Sequence, residues 1–247
     1  MKPKLSYTIW FSQRTGSTLL CRALESTGIA GKPREWLSDD NLLEKYRLRN
    51  YVELQQRLWQ LGTTPNGVFG VKTGAYRPYL DSLIDTFKQF PDRTTNNPTE
   101  IWENTFHNCK HIYMTRRNKV RLAVSWWKAI QTQEWHRQRG KLPKSVDLED
   151  KYSYEAIDHL FAECSMREAA IQEFFDLGVI VPLTIVYEDF ILSYEETIKN
   201  ILNYLELPNS NNVEIASPPL QKLADDVSDN WVQRFRQEKQ KGWKNYW

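Results

Sequence analysis

The sequence has no apolar run near the roughly 20 residues of a membrane-spanning helix, only three cysteines and almost no net charge. Its 33 basic and 31 acidic residues leave +2, which argues against a protein built mainly for nucleic acid. Cys21, Cys109 and Cys164 are odd in number and far apart. They therefore indicate reduced thiols in a cytoplasmic protein rather than a disulfide framework or a zinc site.

The 247 residues suffice for a large core, and 13% of them are aromatic, which excludes disorder. No linker-like stretch divides the chain, so we predict a single domain over residues 1–247. The apolar run Tyr7–Phe11 predicts a first β-strand rather than a signal peptide, because no small-residue cleavage site accompanies it.

Strand-like and helical segments alternate along the chain. Four short apolar segments predict strands: Tyr7–Phe11, Gly67–Thr73, His111–Thr115 and Val179–Tyr187. Helical periodicity follows them, including one long charged helix over 40–61, while 91–99 and 138–151 predict loops. This alternation is typical of an α/β fold, a mostly parallel sheet flanked by helices. Ligands bind at the carboxyl ends of such strands, where we expect the functional residues.

The segment Ser12-Gln13-Arg14-Thr15-Gly16-Ser17-Thr18 follows the first strand and precedes a helix. It predicts an anion site, because Gly16 permits a tight turn and the N–H groups of a helix start favour negative charge. Its hydroxyls and the Arg14 guanidinium add donors. The alternative is a plain strand–turn–helix that Thr15 or Ser17 caps. The lysine of the usual nucleotide-hydrolase loop is missing, which disfavours an ATPase or GTPase.

A second candidate anion site follows the third strand. Arg116 and Arg117 come directly after Thr115, and Ser125 lies nine residues beyond Arg116 on the next helix. An arginine at a strand end can donate two hydrogen bonds to a phosphate, and the serine can add a third. The alternative is a solvated pair of arginines and an ordinary helical serine.

Taken in order, these segments resemble bacterial sulfotransferases of the trehalose (carbohydrate) sulfotransferase family, which use 3′-phosphoadenosine-5′-phosphosulfate (PAPS). Ser12–Thr18 resembles the 5′-phosphosulfate loop of that family, and Arg116 with Ser125 resembles its 3′-phosphate motif. Residues 123–132, AVSWWKAIQT, are similar to the family's A-V-S-F-W-R-A-V-Q-T. The resemblance covers Tyr7 to about Arg236, although 85–108 matches poorly. It implies a P-loop-like sulfotransferase fold, PAPS as donor and a carbohydrate or glycolipid hydroxyl as acceptor, and it is compatible with a homodimer.

Two further segments carry candidate catalytic residues. The segment 31–36, GKPREW, resembles the family's G-E-P-x-E-F/W, and the glutamate taken as the general base there corresponds to Glu35. From the residues alone, Glu35 can equally be a surface carboxylate paired with Arg34. Residues 65–72 resemble T-P-N-G-V-W-G-G-K and place Lys72 at a strand end. Lys72 can there stabilise the charge of the transferred sulfuryl group, or it can be an ordinary exposed lysine. Lys32 replaces the family's first glutamate, so the acceptor contacts differ.

Three other patterns receive a weaker interpretation. Residues 187–190, YEDF, resemble the Y-E-D-L turn of sulfotransferases and are interpreted as a structural cap of the next helix. Residues 228–235 resemble the family's S-D-E-W-V-D-R-Y, and that resemblance leaves open whether this tail covers the nucleotide. His107, Cys109 and His111 have metal-like spacing but no distal ligand pair, so entry into a strand is the better interpretation.

The sequence thus predicts a sulfotransferase that needs no metal ion and no nucleic acid partner. The predicted catalytic residues are Glu35, Arg14 and Lys72. The predicted donor-binding residues are Ser12, Gln13, Arg14, Thr15, Gly16, Ser17, Thr18, Arg116 and Ser125. The competing functions are a kinase-like phosphotransferase and a non-catalytic nucleotide- or carbohydrate-binding protein, and His136 and His159 are the next candidates for the base.

Overall fold

The structure, a computed structural model, describes residues 2–91, 94–208, 210–221 and 223–244. A parallel sheet of four strands forms its centre, in the order β2-β1-β3-β4. The strands are β1 (Leu5–Phe11), β2 (Val68–Thr73), β3 (Cys109–Thr115) and β4 (Leu183–Val186). Because β1 lies between two partners and under helices on both faces, it is almost entirely buried. The predicted α/β class with a parallel sheet is confirmed.

Helices connect the strands and cover both faces of the sheet. They are α1 (Ser17–Ser26), α2 (Leu42–Tyr46), α3 (Tyr51–Gly62), α4 (Arg77–Lys88), α5 (Pro98–Thr105), α6 (Lys119–Thr132), α7 (Tyr154–Gly178), α8 (Tyr187–Leu192), α9 (Tyr194–Tyr204) and α10 (Asp226–Lys239). Within the described ranges, no helix has both the length and the apolar character that crossing a bilayer demands.

Successive side chains of β1 point to opposite faces of the sheet and so contribute to two separate parts of the core. Tyr7 and Ile9 pack with α1 and α9 on one face of the sheet, and Trp10 packs with α4, α5 and α7 on the other. A third cluster joins α6, α7 and α10 through residues that include Trp231 and Phe235. The last helix is thereby fixed to the wall that α6 forms beside the sheet.

The single helix predicted over 40–61 is wrong, because the chain breaks it into α2 and α3. Arg47 adopts a left-handed conformation with φ of 53° and ends α2. The Asn50 side chain then accepts the backbone N–H of Glu53 and starts α3. Charge periodicity alone does not reveal such a break.

Two other boundaries differ from the prediction. A helix, α5, starts within the predicted polar loop, because the Asn97 side chain accepts the Thr99 N–H and Pro98 suits the first helical position. The fourth strand starts at Leu183 rather than Val179. Val179 has φ of 51° and ends α7, and Pro182 has no N–H to donate to a neighbouring strand.

The segment before Glu35 pairs with β2 through a single isolated bridge. Arg34 pairs with Val71 in a parallel bridge, and the Lys72 N–H donates to the Arg34 carbonyl at 3.0 Å. This pairing carries the chain to the carboxyl edge of the sheet, where Glu35 follows.

A close contact between two backbone segments allows the chain before Glu35 to lie against β2. Gly31 has φ of +70°, and a Cβ there would lie 2.7 Å from the backbone nitrogen of Gly70. The Tyr7 hydroxyl, whose pKa is raised well above its usual value by burial, donates to the Ala30 carbonyl. A buried hydrogen bond therefore holds the turn that precedes the bridge between Arg34 and Val71.

We expect Tyr7→Phe to lower the free energy of unfolding by about 1–2 kcal/mol, because it leaves the Ala30 carbonyl without this donor. Tyr194→Phe is the matched control, since the Tyr194 hydroxyl is buried and has no hydrogen-bond partner within the described ranges. Its removal should leave stability unchanged or raise it. Urea denaturation of both variants measures the difference, and equal effects would show that the Tyr7 bond does not hold the turn.

Candidate active site

A cleft of about 710 Å³ opens at the carboxyl ends of β1, β2 and β3. Its walls are the loop after β1, the first turn of α1, α6 with the residues that follow it, α8 with the start of α9, and parts of the chain between residues 218 and 232. The cleft therefore lies at the sheet edge where parallel α/β proteins bind ligands.

The first turn of α1 is open toward this cleft. Gly16 is the N-cap residue, with φ of 86°, and no side chain accepts a hydrogen bond from the first turn. Gly16, Ser17 and Thr18 all line the cleft. A Cβ at Gly16 would lie 2.5 Å from the Tyr187 ring, so glycine is required there. Backbone N–H groups at such a helix start favour an anion, and neither Thr15 nor Ser17 caps the helix.

Two hydroxyls of the loop point away from the cleft, which differs from the expectation that they donate to a ligand. The Ser12 hydroxyl donates to Glu168 at 3.0 Å, and the Thr15 hydroxyl donates to the Ser12 carbonyl at 2.8 Å. Both residues are fully buried. Their side chains therefore brace the loop, while Gln13 and Arg14 line the cleft.

Arg14 and Arg116 lie together in the cleft wall. Arg14 donates from Nε to the Ser125 hydroxyl at 3.1 Å, and Arg116 donates to the Arg14 carbonyl at 3.4 Å. The Arg116 guanidinium lies over the Tyr187 ring. Its buried Nε has no hydrogen-bond partner in the described part of the chain, and the nearest carboxylate oxygen, of Glu188, lies 3.8 Å away. Burial lowers the pKa of both groups, that of Arg14 to about 10 with Arg116 as the second cause. Two desolvated cations side by side are an arrangement that an anion stabilises.

The neighbouring arginine does not share this position. Arg117 points outward and pairs with Asp189 at 2.6 Å. The carboxylate of Glu188 accepts the backbone N–H groups of Arg117 and Asn118. The segment 187–190 therefore secures the end of β3 and forms α8 itself, so its predicted role as a helix cap is wrong.

Glu35 and Lys72 form an ion pair at the mouth of the cleft, with 2.6 Å between Oε1 and Nζ. The Lys72 side chain is only 6% exposed and lies over the Phe11 ring, whereas the Glu35 side chain is 49% exposed. Arg34 pairs instead with Glu25. The two simpler alternatives, an exposed lysine and a Glu35–Arg34 pair, are therefore wrong.

A chain of polar contacts continues from Lys72 across the cleft. Lys72 donates to the Thr18 hydroxyl at 3.1 Å, and that oxygen lies 3.4 Å from Nε2 of His136. The pKa of His136 is lowered to about 4, first by partial removal from water and then by the charges of Arg14 and Lys72. The imidazole therefore stays neutral at pH 7 although it faces the cleft. His159, the other candidate for the base, is exposed and does not line the cleft.

Sequence analysis gave no role to the rest of the loop that carries His136. Gln133 ends α6 in a left-handed conformation, and Glu134 and Arg137 then pair through two hydrogen bonds. Trp135 lies between them, and its carbonyl accepts from Arg14 at 2.6 Å. No periodicity marks these residues, and their neighbours in space are about 120 positions away in the chain.

The C-terminal part of the chain completes the wall. Lys128 of α6 donates to Asp225 and to the Leu223 carbonyl, which fixes the start of α10 against α6. Ser228 and Val232 line the cleft, and Trp231 and Val232 pack into the third cluster. The segment considered as a cover of the nucleotide thus lies at the edge of the cleft.

The residues with metal-like spacing lie outside this cleft. The structure brings Glu103, rather than His107, close to Cys109 and His111. Nδ1 of His111 accepts from the Trp10 indole, so Nε2 carries the proton and donates to Glu103 at 2.9 Å. Both ring nitrogens are therefore engaged in contacts that hold β3 against its neighbours.

Comparison with known proteins connects this geometry to an activity. The model of the Stf0 sulphotransferase family matches residues 6–238. The chain is 29% identical to the trehalose 2-sulfotransferase of Mycolicibacterium smegmatis, over 96% of each chain, and 28% identical to that of Mycobacterium tuberculosis, over 94% of each.

A solved structure gives the same picture at the level of the fold. A sulfotransferase from Alicyclobacillus acidocaldarius superposes with a TM-score of 0.52 at 13% identity, over 94% of this chain and 92% of that one. The match of the family model over nearly the whole chain, together with these relatives, shows that the chain belongs to the Stf0 sulphotransferase family.

Proposed function

We propose that this sulfotransferase moves a sulfuryl group from PAPS to a hydroxyl of a carbohydrate, with Glu35 as the general base. The observation that carries the proposal is the meeting, in one cleft, of the Arg14–Arg116 pair with the Glu35–Lys72 pair. The first pair supplies charge for a donor with several phosphate groups, and the second supplies a carboxylate where the acceptor enters. The curated relatives are named for trehalose, which makes a sugar the first acceptor to test.

The two ends of the donor have separate partners in this proposal. The open turn of α1 and the Arg14 guanidinium receive the 5′-phosphosulfate. Arg116 and Ser125 receive the 3′-phosphate. The buried Nε of Arg116 has no hydrogen-bond partner among the described residues, and a Glu188 carboxylate oxygen lies 3.8 Å from it. Because Arg14 contacts both Ser125 and Arg116, it lies between the two anionic groups and is attracted to each.

The reaction needs a base, an electrophile and a stabilised leaving group. The Glu35 carboxylate accepts the proton of the acceptor hydroxyl as the new O–S bond forms. The bond between sulfur and the 5′-phosphate oxygen breaks, and adenosine 3′,5′-bisphosphate leaves. Lys72, Arg14 and the N–H groups of the loop stabilise the charge that develops there. These cations do the work for which many phosphotransferases use a metal ion.

The state of the cysteines indicates the cellular compartment in which the protein works. Cys21, Cys109 and Cys164 are all free thiols, and Cys21 and Cys164 are buried. Free, separated thiols fit a reducing compartment, so we place the protein in the cytoplasm.

Selectivity for the 3′-phosphate should depend on Arg116. We expect Arg116→Gln to weaken binding of adenosine 3′,5′-bisphosphate about 10- to 150-fold, because a charge-assisted contact is lost, and to change AMP binding far less. Arg117→Gln is the control, because that guanidinium pairs with Asp189 outside the cleft. Calorimetry with the bisphosphate, AMP and ATP measures this. Equal affinity of the wild type for bisphosphate and AMP would remove the second anion site, and a preference for ATP would favour a phosphotransferase.

Turnover should depend on the Glu35 carboxylate. We expect Glu35→Gln to lower the rate of sulfuryl transfer about 10²- to 10⁴-fold, because the amide cannot accept the proton. Affinity for the bisphosphate should be retained. Glu25→Gln is the control, since Glu25 is also ion-paired but lies outside the cleft. Labelled PAPS with a panel of sugars and glycolipids measures the rate on the same preparations used for binding.

Two results would contradict the assignment of Glu35. Near-full turnover of Glu35→Gln would move the base to another group, with His136 next. A parallel loss of bisphosphate affinity would make Glu35 a structural residue. A wild type that binds the bisphosphate but transfers nothing would favour a non-catalytic protein.

His136 should titrate with a midpoint of about 4. Because this value lies below the ordinary value of 6.5, the folded state binds the proton more weakly than the unfolded state. The free energy of unfolding should therefore fall as the pH drops from 6.5 towards 4, and His136→Gln should remove that component. Bound bisphosphate should raise the midpoint, since its charge opposes that of Arg14 and Lys72. NMR titration measures it, and a midpoint near 6.5 would contradict the contacts described for the ring.

A further inference from the structure

We propose that the indole of Trp135 is the surface on which a sugar ring of the acceptor stacks. The inference rests on the proposed function and adds to it a residue that recognises the acceptor. An indole face packs against the apolar C–H face of a pyranose, while the hydroxyls at the ring's edge remain free to form hydrogen bonds.

The exposure of Trp135 is the first observation. Trp135 lines the cleft and is 40% exposed, whereas Trp126, which also lines the cleft, is only 8% exposed. Trp10 and Trp102 are fully buried. A large aromatic ring held open to water in a cleft forgoes burial that the fold could otherwise use. Such rings are typical contact residues for a ligand.

The position of Trp135 is the second observation. Arg14 donates to its carbonyl, and the next residue, His136, lies against Thr18. Thr18 in turn accepts from Lys72, the partner of Glu35. The indole is therefore attached to the part of the cleft where the base and the donor's phosphosulfate meet in the proposed mechanism.

The loop around Trp135 is firmly held, which is the third observation. Glu134 and Arg137 bracket it and pair at 2.9 and 2.7 Å, with side chains only 11% and 13% exposed. The Gln221 N–H donates to the Arg137 carbonyl and ties the loop to the opposite wall. A preorganised ring loses little entropy when a ligand stacks on it.

The charges in the cleft favour an uncharged acceptor at this place. Arg137 beside Trp135 is neutralised by Glu134, and Lys72 by Glu35. Arg121, Lys128 and Arg167 likewise have carboxylate partners. Among the residues that the structure describes, Arg14 is the cleft cation without a carboxylate within 4 Å, and the donor accounts for it. An anionic acceptor would find no free cation at the loop.

Four proteins test the proposal: the wild type, Trp135→Ala, Trp135→Phe and Trp243→Ala. Trp243 is the matched control, because it is 69% exposed and does not line the cleft. Calorimetry gives the affinity for adenosine 3′,5′-bisphosphate, and transfer from PAPS to trehalose gives kcat and KM. NMR follows the indole N–H of Trp135, assigned by its loss in the variants, during titration with trehalose or with sorbitol, an open-chain polyol without a ring face. The bisphosphate is present throughout.

We expect Trp135→Ala to raise the KM for trehalose about 10- to 100-fold while kcat and bisphosphate affinity change less than about threefold. Trp135→Phe should restore most of the KM, and Trp243→Ala should change nothing. The Trp135 indole signal should shift with trehalose and not with sorbitol.

Three results would overturn the proposal. A loss of bisphosphate affinity in Trp135→Ala would assign the ring to the adenine of the donor. An unchanged KM would make the ring a bystander. If the wild type transfers nothing to trehalose, the proposed function fails for this acceptor. The NMR signal of the Trp135 indole N–H then tests stacking separately: a shift with trehalose but not with sorbitol supports stacking, and no shift with trehalose refutes it.

Discussion

One backbone contact determines the chemistry of the cleft: the N–H of Lys72 donates to the carbonyl of Arg34. In a parallel pair of segments, residues that lie opposite each other are equally far from the carboxyl edge of the sheet. This hydrogen bond therefore brings the next residue, Glu35, beside Lys72, although 36 residues separate the two in the chain. The ion pair follows from it, and the contacts of Lys72 with Thr18 and of Thr18 with His136 extend that pair across the cleft.

The cationic side of the cleft is built at a cost to the fold. Removal from water lowers the pKa of both Arg14 and Arg116, and the charge of Arg116 lowers that of Arg14 further. Around them the protein satisfies its other charges, since Glu188 binds the backbone after β3 and Asp189 takes Arg117. The uncompensated positive charge is thus confined to one place. A site can in this way favour an anion without destabilising the whole domain.

Apolar runs and turn residues predict the main elements from the sequence. Single-residue breaks, side-chain caps and contacts between distant segments are not predicted. The strand ends that carry Arg14, Lys72 and Arg116 follow from apolar runs and turn residues. The break at Arg47 and the start of α5 do not, because a single left-handed residue or side-chain cap decides them. The directions of the Ser12 and Thr15 hydroxyls depend on Glu168 and on the loop's own backbone. The Trp135 loop has no periodic signal at all, since its partners come from the other end of the domain.

Arg14 touches both halves of the cleft, because its guanidinium lies beside Ser125 and also holds the carbonyl of Trp135. If a bound anion moves that guanidinium, the position of the indole changes with it. A ligand that moves the indole changes the position of the guanidinium in the same way. Occupancy at either end of the cleft then alters affinity at the other by the same factor, as thermodynamic reciprocity requires. A single side chain thus couples the two ends of the cleft in binding free energy, without favouring either end as the first to be occupied.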